Sequence, residues 1–481
     1  MTAPRPAMTL DATTLAERAG GRWLTQPDAV AVTSIEIDSR RCRDGSLFVA
    51  LPGTQADGHD FIAAAAANGA AAALVSRRIE DAAIPLLRVD DVETALTRLG
   101  SRGREAHIAA GGRLVGITGS VGKTGSKEML AHLLAPAGCH ASRASFNNHL
   151  GVPLTLAALP ATPVDAVQEM GMNAPGEIST LSRLARPDIA VITRIADSHS
   201  GFFDSLDQIA DAKAEIFNGL RAGGTAILNR DDPYFGRLAA QANSAGAGAV
   251  IGFGTSEEAD IRLLGVRRGH DNMRVSCSLD GTDFDFTLGM QGAHWAMNAM
   301  AMLAAVRALG HDAATAGKSL VDFSNLPGRG AMLRGAFAGA EITLVDDSYN
   351  AGPASMKAAF ASLAATPPQV MVLSDMLELG DGSAAAHAAL APGITSLRPR
   401  VVITIGPEMS RMAAALPRTT HHCETASPED AITQLSTQLR DGDVVFVKGS
   451  NGSGAWRVAA AMIASLQTAL SPEAGETHDA A

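Results

Sequence analysis

Apolar positions recur along the chain in two rhythms. Short unbroken apolar runs alternate with longer, Ala-rich segments in which apolar residues return every three or four positions. The first rhythm suits buried strands and the second suits helices packed on one face. Strand-like runs lie at Leu47–Leu51, Ala72–Val75, Arg113–Ile117, Ala166–Met170, Ile189–Thr193 and Thr225–Leu228, and again at Ile342–Val345, Val370–Leu373, Val401–Ile405 and Val444–Val447. Strands and helices in alternation predict βαβ units, parallel sheets and an α/β fold. Between residues 261 and 288 the rhythm changes to strands without intervening helices, and Asp280-Gly281 marks a hairpin turn there.

A chain of 481 residues exceeds one ordinary core. Three α/β units are predicted: residues 1–111, 112–328 and 329–481, with a hinge at Gly111-Gly112 and a second break at Leu326-Pro-Gly-Arg-Gly330. The polar, small-residue tail from about residue 471 is expected to be disordered. Net charge is −11, which argues against a nucleic-acid partner. Cys42, Cys139, Cys277 and Cys423 are widely spaced and read as reduced thiols of a cytoplasmic protein. Residues 1–8 lack the apolar core of a signal peptide, and Phe61–Val75 is too short to span a bilayer, so no membrane insertion is expected.

The stretch Thr118-Gly-Ser-Val-Gly-Lys-Thr124 follows a strand-like run and opens a helical one. Backbone N–H groups at such a helix start bind anions. Gly119, Ser120 and Gly122 would bring the backbone close to phosphates, Lys123 would reach terminal phosphate oxygens, and the Thr124 hydroxyl could ligate Mg²⁺. The common phosphate loop has glycine five positions before Gly122, where Ile117 stands here and the near glycine is Gly119; a plain strand–turn–helix with a surface lysine is the alternative. Glu169 ends an apolar run, where strand C-termini of a parallel sheet face the ligand crevice. It suits a metal ligand, or a capping acid. His199 and Lys213 follow further strand and helix runs, and their spacing alone does not decide between structure and chemistry. His421-His-Cys423 has too few neighbouring ligands for zinc and reads as a loop.

Several motifs recur in a fixed order. They are T-G-x-x-G-K-T at 118–124, N-N-x-x-G-V-P-L-T at 147–155, E-M-G-M-N-x-x-G-E-I at 169–178, I-A-x-A-K-x-E-I at 209–216 and N-R-D-D at 229–232. With them stand D-D-S-Y-N-A-x-P at 346–353, D-M-L-E-L-G at 375–380, V-K-G-S-N-G at 447–452, D-S-R at 38–40 and D-G-H-x-F at 57–61. The set resembles the Mur ligase family, over nearly the whole chain, and within it the branch that adds D-alanyl-D-alanine to a UDP-linked tripeptide.

The resemblance implies a three-domain α/β protein: an N-terminal UDP-substrate domain, a central ATP-binding domain and a C-terminal ligase domain with a Rossmann-like fold. It implies ATP and Mg²⁺ as cofactors, with Lys123, His199, Lys213 and Arg329 in catalysis. Gly119, Ser120, Gly122, Lys123, Thr124, Asn298, Arg329 and Asp347 would hold ATP, with Asn298 at the adenine and Asp347 at the ribose. Thr124, Glu169, His199 and Lys213 would hold metal, Lys213 as a carbamate. Ser39, Arg40 and Asn148 would contact the UDP-linked substrate. The implied partners are small molecules only (UDP-N-acetylmuramoyl-tripeptide, D-Ala-D-Ala and ATP), acting on a monomer whose outer units close on the central one. Related ligases adding diaminopimelate or lysine, and folylpolyglutamate synthases, are the nearest enzymatic rivals. The diaminopimelate branch lacks support because its D-N-P-R motif is missing. A GTP-switched binding protein would need an N-K-x-D segment, and none is present.

Overall fold

The structure, a computed structural model, describes residues 8–27, 29–53, 56–196, 203, 205–269, 272–324 and 326–469. Among these residues the strands form four sheets. The first unit has five strands in the order Arg22–Trp23, Leu86–Arg88, Ala70–Val75, Ser46–Val49 and Ser34–Glu36, parallel except at the first pair. A two-stranded ribbon, Leu10–Asp11 with Ala31–Val32, adjoins it.

The second unit carries nine strands. Its parallel part runs Ala249–Gly254, Thr225–Asn229, Ile189–Ile192, Arg113–Thr118, Asp165–Glu169 and Cys139–Ala141. Ile261–Arg268, Met273–Leu279 and Thr282–Leu288 extend it as an antiparallel meander. Asp280 and Gly281 both have positive φ, 51° and 76°, the geometry that a two-residue hairpin needs to match strand twist. The apolar helix Ala293–Ala308 lies over one sheet face, with residues from Ala299 to Val306 fully buried.

In the third unit six strands follow the order Ala331–Phe337, Ala340–Asp347, Val444–Lys448, Val370–Ser374, Val401–Ile405 and His421–Thr425, parallel except at the first pair. His421–Cys423, read from sequence as a loop, is therefore part of an edge strand. Its side chains alternate without a clear apolar face because only one flank is paired, so the period-2 signal is weak. The tail from about residue 471 lies outside the described residues.

Two features fix the first unit on the second. The helix Val92–Ala109 packs against the helix Gly151–Ala157 at its two glycines: a Cβ at Gly100 would stand 2.8 Å from Pro153 O, and one at Gly103 would collide with Leu156 O. Farther along the same helix, Arg104 is fully buried. It donates to Ala185 O and Arg186 O (both 2.8 Å) and to Asp188 Oδ2 (2.7 Å). Its remaining arm donates to His107 Nδ1 at 2.8 Å, which leaves the imidazole proton on Nε2 to donate to Val164 O at 2.9 Å. Burial and the adjacent guanidinium lower the basicity of His107, in keeping with that neutral tautomer.

Candidate functional site

The turn Thr118–Gly122 joins a central strand to the helix Lys123–Leu134. Gly119 has φ 144° and Gly122 has φ 86°, conformations that an L side chain resists. A Cβ at Gly119 would strike the Thr193 hydroxyl, and one at Gly122 would stand 3.0 Å from Asn298 Oδ1. Both glycines therefore permit a close approach, one to the neighbouring strand end and one to the helix Ala293–Ala308. Ser120 Oγ donates to Ala196 O at 2.7 Å and ties the loop's crest to the adjacent strand connection. Lys123 Nζ donates back to Gly119 O at 2.7 Å, so the ammonium lies over the loop backbone. Desolvation lowers its basicity, Glu169 opposes that shift, and Arg329 of the third unit adds to it.

Thr124 and Glu169 meet directly. The Thr124 hydroxyl donates to Glu169 Oε2 at 2.7 Å, and Asn147 Nδ2 donates to Glu169 Oε1 at 2.7 Å. The carboxylate is 1 % exposed at the C-terminal end of its strand. Lys213 sits on the helix Leu206–Ala214, fully buried, and its Nζ has no hydrogen-bond partner among the described residues. Burial first, and the Lys123 ammonium second, push its pKa well below the ordinary lysine value, with Glu215 opposing. Glu215 is engaged elsewhere, accepting from Gly176 N at 2.7 Å and Ser179 N at 3.0 Å.

Arg329 and Asp347 come from the third unit. The Arg329 guanidinium stacks 4.2 Å from the Tyr349 ring centroid. Asp347 ends a strand and accepts from Lys448 Nζ at 2.7 Å. Desolvation raises its pKa, and Lys448 and Arg329 pull the other way. His294 is exposed and lies near the third unit: a Cβ at Gly292 would stand 2.8 Å from the His294 ring and 3.1 Å from Ser362 Oγ. Desolvation, with a smaller contribution from Lys448, brings its pKa down to about 4, so it is neutral at pH 7. Lys448, inside the motif V-K-G-S-N-G, and His294 were not singled out from the sequence.

Of the expected substrate contacts, Ser39 and Arg40 belong to the first unit, and Asn148 follows Asn147 in the segment beside Glu169. Arg40 is exposed and pairs with Asp38 at 2.8 Å, while Ser39 is buried and its carbonyl accepts from Asn68 Nδ2 at 3.0 Å. Asn148 Oδ1 accepts from Gly151 N at 2.9 Å and caps the helix behind it. His199 lies outside the described residues.

A phosphate loop at the C-terminal edge of a parallel sheet, with a buried hydroxyl–carboxylate pair and a second α/β unit supplying Arg329 and Asp347, defines a nucleotide-binding α/β protein of several domains. The chain belongs to the Mur ligase family. Residues 31–104 match the family model described as "Mur ligase family, catalytic domain", 117–306 match the Mur ligase middle domain, and 328–451 match the Mur ligase glutamate ligase domain. The chain is 34 % identical over 442 residues to the UDP-N-acetylmuramoyl-tripeptide–D-alanyl-D-alanine ligase of Bacillus subtilis, covering 89 % of this chain and 92 % of that one. The ligase of the same name from Escherichia coli is 33 % identical, covering 90 % and 94 %. A crystal structure of MurF from Acinetobacter baumannii superimposes with a TM-score of 0.79 at 30 % identity, covering 95 % of this chain and all of that one. A Thermotoga maritima MurF ligase solved with ADP gives a TM-score of 0.73 at 26 % identity, over 90 % and 98 %.

Proposed function

We propose that the chain ligates D-alanyl-D-alanine to UDP-N-acetylmuramoyl-tripeptide with ATP, giving ADP, phosphate and the UDP-linked pentapeptide of peptidoglycan synthesis. The observation that carries this reading is the convergence of Lys123 and Glu169 of the second unit with Arg329 of the third, the carboxylate and the guanidinium both standing near enough to the Lys123 ammonium to act on its basicity in opposite directions. The relatives' shared name gives the substrates.

A peptide carboxylate is a poor electrophile because its leaving group would be oxide. Its oxygen attacks the γ-phosphorus of ATP, the bond to ADP breaks, and an acyl phosphate results. The amine of D-Ala-D-Ala then attacks the carbonyl carbon, and phosphate leaves as the amine loses a proton. Lys123 and Arg329 face the charge that develops on the transferring group, and the loop amides from Gly119 to Thr124 seat the phosphates. Asn298, beside Gly122, would contact the base and Asp347 the ribose. Ser39, Arg40 and Asn148 are assigned to the UDP-linked substrate.

The donor set fits Mg²⁺: an oxygen pair, Thr124 and Glu169, and a buried lysine near Lys123, Lys213, whose Nζ has no hydrogen-bond partner among the described residues. Bound Mg²⁺ supplies further charge neutralisation on the phosphoryl oxygens. A neutral Lys213 amine can attack CO₂, forming a C–N bond and releasing one proton, and the resulting carbamate presents the oxygens that an ammonium cannot. Thr124, Glu169, carbamylated Lys213 and His199 are the proposed holders. We read the chain as a monomer acting in the cytoplasm, the compartment that holds both ATP and UDP-linked precursors. Among the described residues no helix is long and apolar enough to cross a membrane.

The test is ADP release. It is expected to require both the UDP-linked tripeptide and D-Ala-D-Ala. Release at full rate with ATP alone, or with a different amine preferred, would refute the assignment.

A further inference from the structure

Beside the Glu169 carboxylate runs a segment to which the chemistry above gives no task beyond Asn148. Residues 142–148 connect the strand Cys139–Ala141 to the helix Gly151–Ala157. Asn147 of this segment donates to Glu169, and Ser145 Oγ stands 3.2 Å from Thr124 Oγ1. Arg143 reaches the other way. Its two terminal nitrogens donate to both oxygens of Glu36, at 2.9 and 2.7 Å, and Glu36 belongs to the first unit's strand Ser34–Glu36 and is nearly inaccessible. One short segment thus touches the proposed metal ligands and the first unit at once.

What holds the segment is a buried cation. Lys127, one helical turn past Lys123, is fully buried. Its ammonium donates to Ser142 O and Ala144 O, both at 2.7 Å, with Glu128 Oε1 as counter-ion at 2.6 Å. Gln168 Nε2 donates to Phe146 O at 3.0 Å from the neighbouring strand. Between these anchors Ala144 has φ 44°, a left-handed conformation that an alanine adopts only when its surroundings impose it. An ammonium is expensive to bury, and an apolar side chain of similar length would fill the space without that cost. The charge therefore acts through the two carbonyls it binds.

We propose that Lys127 is a positioning residue. It holds residues 142–148 in the conformation in which Asn147 reaches Glu169 and Arg143 reaches Glu36, and so couples the seating of the first unit to the orientation of the metal-binding carboxylate. The inference rests on the proposed function in taking Glu169 as a metal ligand.

The experiment measures Mn²⁺ binding by electron paramagnetic resonance, on the full chain with a non-hydrolysable ATP analogue, for Lys127→Met, Arg143→Met and the double variant. Lys127→Met is expected to weaken Mn²⁺ binding about tenfold, the scale on which groups behind a metal ligand act, with affinity for the ATP analogue unchanged. Arg143→Met touches neither Thr124 nor Glu169 and is expected to weaken Mn²⁺ binding severalfold. The double variant is expected to be no worse than Lys127→Met alone, because both act through one segment. Unchanged Mn²⁺ affinity in Arg143→Met overturns the coupling, even should Lys127→Met fail to fold, and strictly additive effects overturn the shared route. Failure of the underlying site reading shows separately, as Mn²⁺ binding that survives Glu169→Ala.

Discussion

The two junctions of this chain are built from opposite materials. Where the first unit meets the second, the apolar core runs across the boundary: Leu154 and Ala157 belong to the same cluster as Leu47, Leu74 and Leu96. Glycines allow backbone-to-backbone contact there, and Arg104 threads into the second unit with its donors engaged. Where the second unit meets the third, no such sharing occurs. Among the described residues, the two clusters of the third unit contain nothing before Leu333. The facing groups are Lys123, Glu169 and His294 on one side and Arg329, Asp347 and Lys448 on the other. An interlocked junction with a shared apolar core resists relative motion, whereas one held by charges without such a core can open and close at small cost. The charged junction is also where the proposed chemistry lies.

The comparison predicts that damage to the two junctions separates into activity and stability. The largest activity effect is expected for Lys123→Ala. Removing a cation aimed at developing phosphoryl charge should slow ligation by about 10² to 10³ or more, with an unchanged urea midpoint, as read by ADP release and circular dichroism. Lys213→Ala should lose activity on a similar scale and regain part of it with added short carboxylic acids, which supply the missing oxygens. Lys213→Arg should stay inactive with or without them, because a guanidinium forms no carbamate. Full turnover of Lys213→Ala without additive would remove the carbamate from the mechanism. Since only the neutral amine takes up CO₂, the low pKa of Lys213 places carbamate formation below the usual lysine range, and bicarbonate is expected to stimulate a CO₂-depleted preparation.

The opposite signature is expected at the other junction. Arg104→Met leaves Asp188, His107 Nδ1 and the carbonyls of Ala185 and Arg186 short of a buried donor, which should cost about 3 kcal/mol of stability, while the surviving folded fraction turns over normally. A loss of turnover without a loss of stability would break the distinction. Paired spin labels sharpen it further. On binding the ATP analogue, a label pair spanning the second and third units should shorten its distance. A pair spanning the first and second units should not, a narrower motion than closure of both outer units.

Much of this was legible in the sequence, for reasons that differ by region. The parallel strands of the second and third units are continuous apolar runs because both faces are covered, and such runs stand out. The phosphate loop is legible because its geometry demands glycine at Gly119 and Gly122. The short strands Leu10–Asp11, Arg22–Trp23 and Ser34–Glu36 are too brief to carry a period. Arg104 and Lys127 gave no signal at all. Each is a buried cation whose partners are mostly backbone carbonyls, and carbonyls have no sequence signature. Lys448 lay in a quoted motif, but its partner Asp347 is 101 positions away, and only the parallel pairing of their two strands brings them together.

The smallest expected effect concerns how the third unit aims its arginine. Arg329 follows Gly328, whose backbone N–H donates to Asp346 Oδ2 at 2.8 Å and whose φ is 69°. Tyr349 N in turn donates to Gly328 O at 3.0 Å, so the ring and the guanidinium are held face to face by their own backbones. The ring attracts the cation through its negative face, and that attraction survives loss of the phenol hydroxyl. Tyr349→Phe should therefore turn over like the parent chain. Tyr349→Leu keeps the bulk and loses the face, and about 0.5–1 kcal/mol of positioning is at stake, a two- to fivefold fall in kcat. Because the proposed role of Arg329 is at the transferring phosphoryl group rather than at the base, KM for ATP should move less than kcat. Equal losses in Tyr349→Phe and Tyr349→Leu would show that the hydroxyl, not the ring face, is what Arg329 depends on.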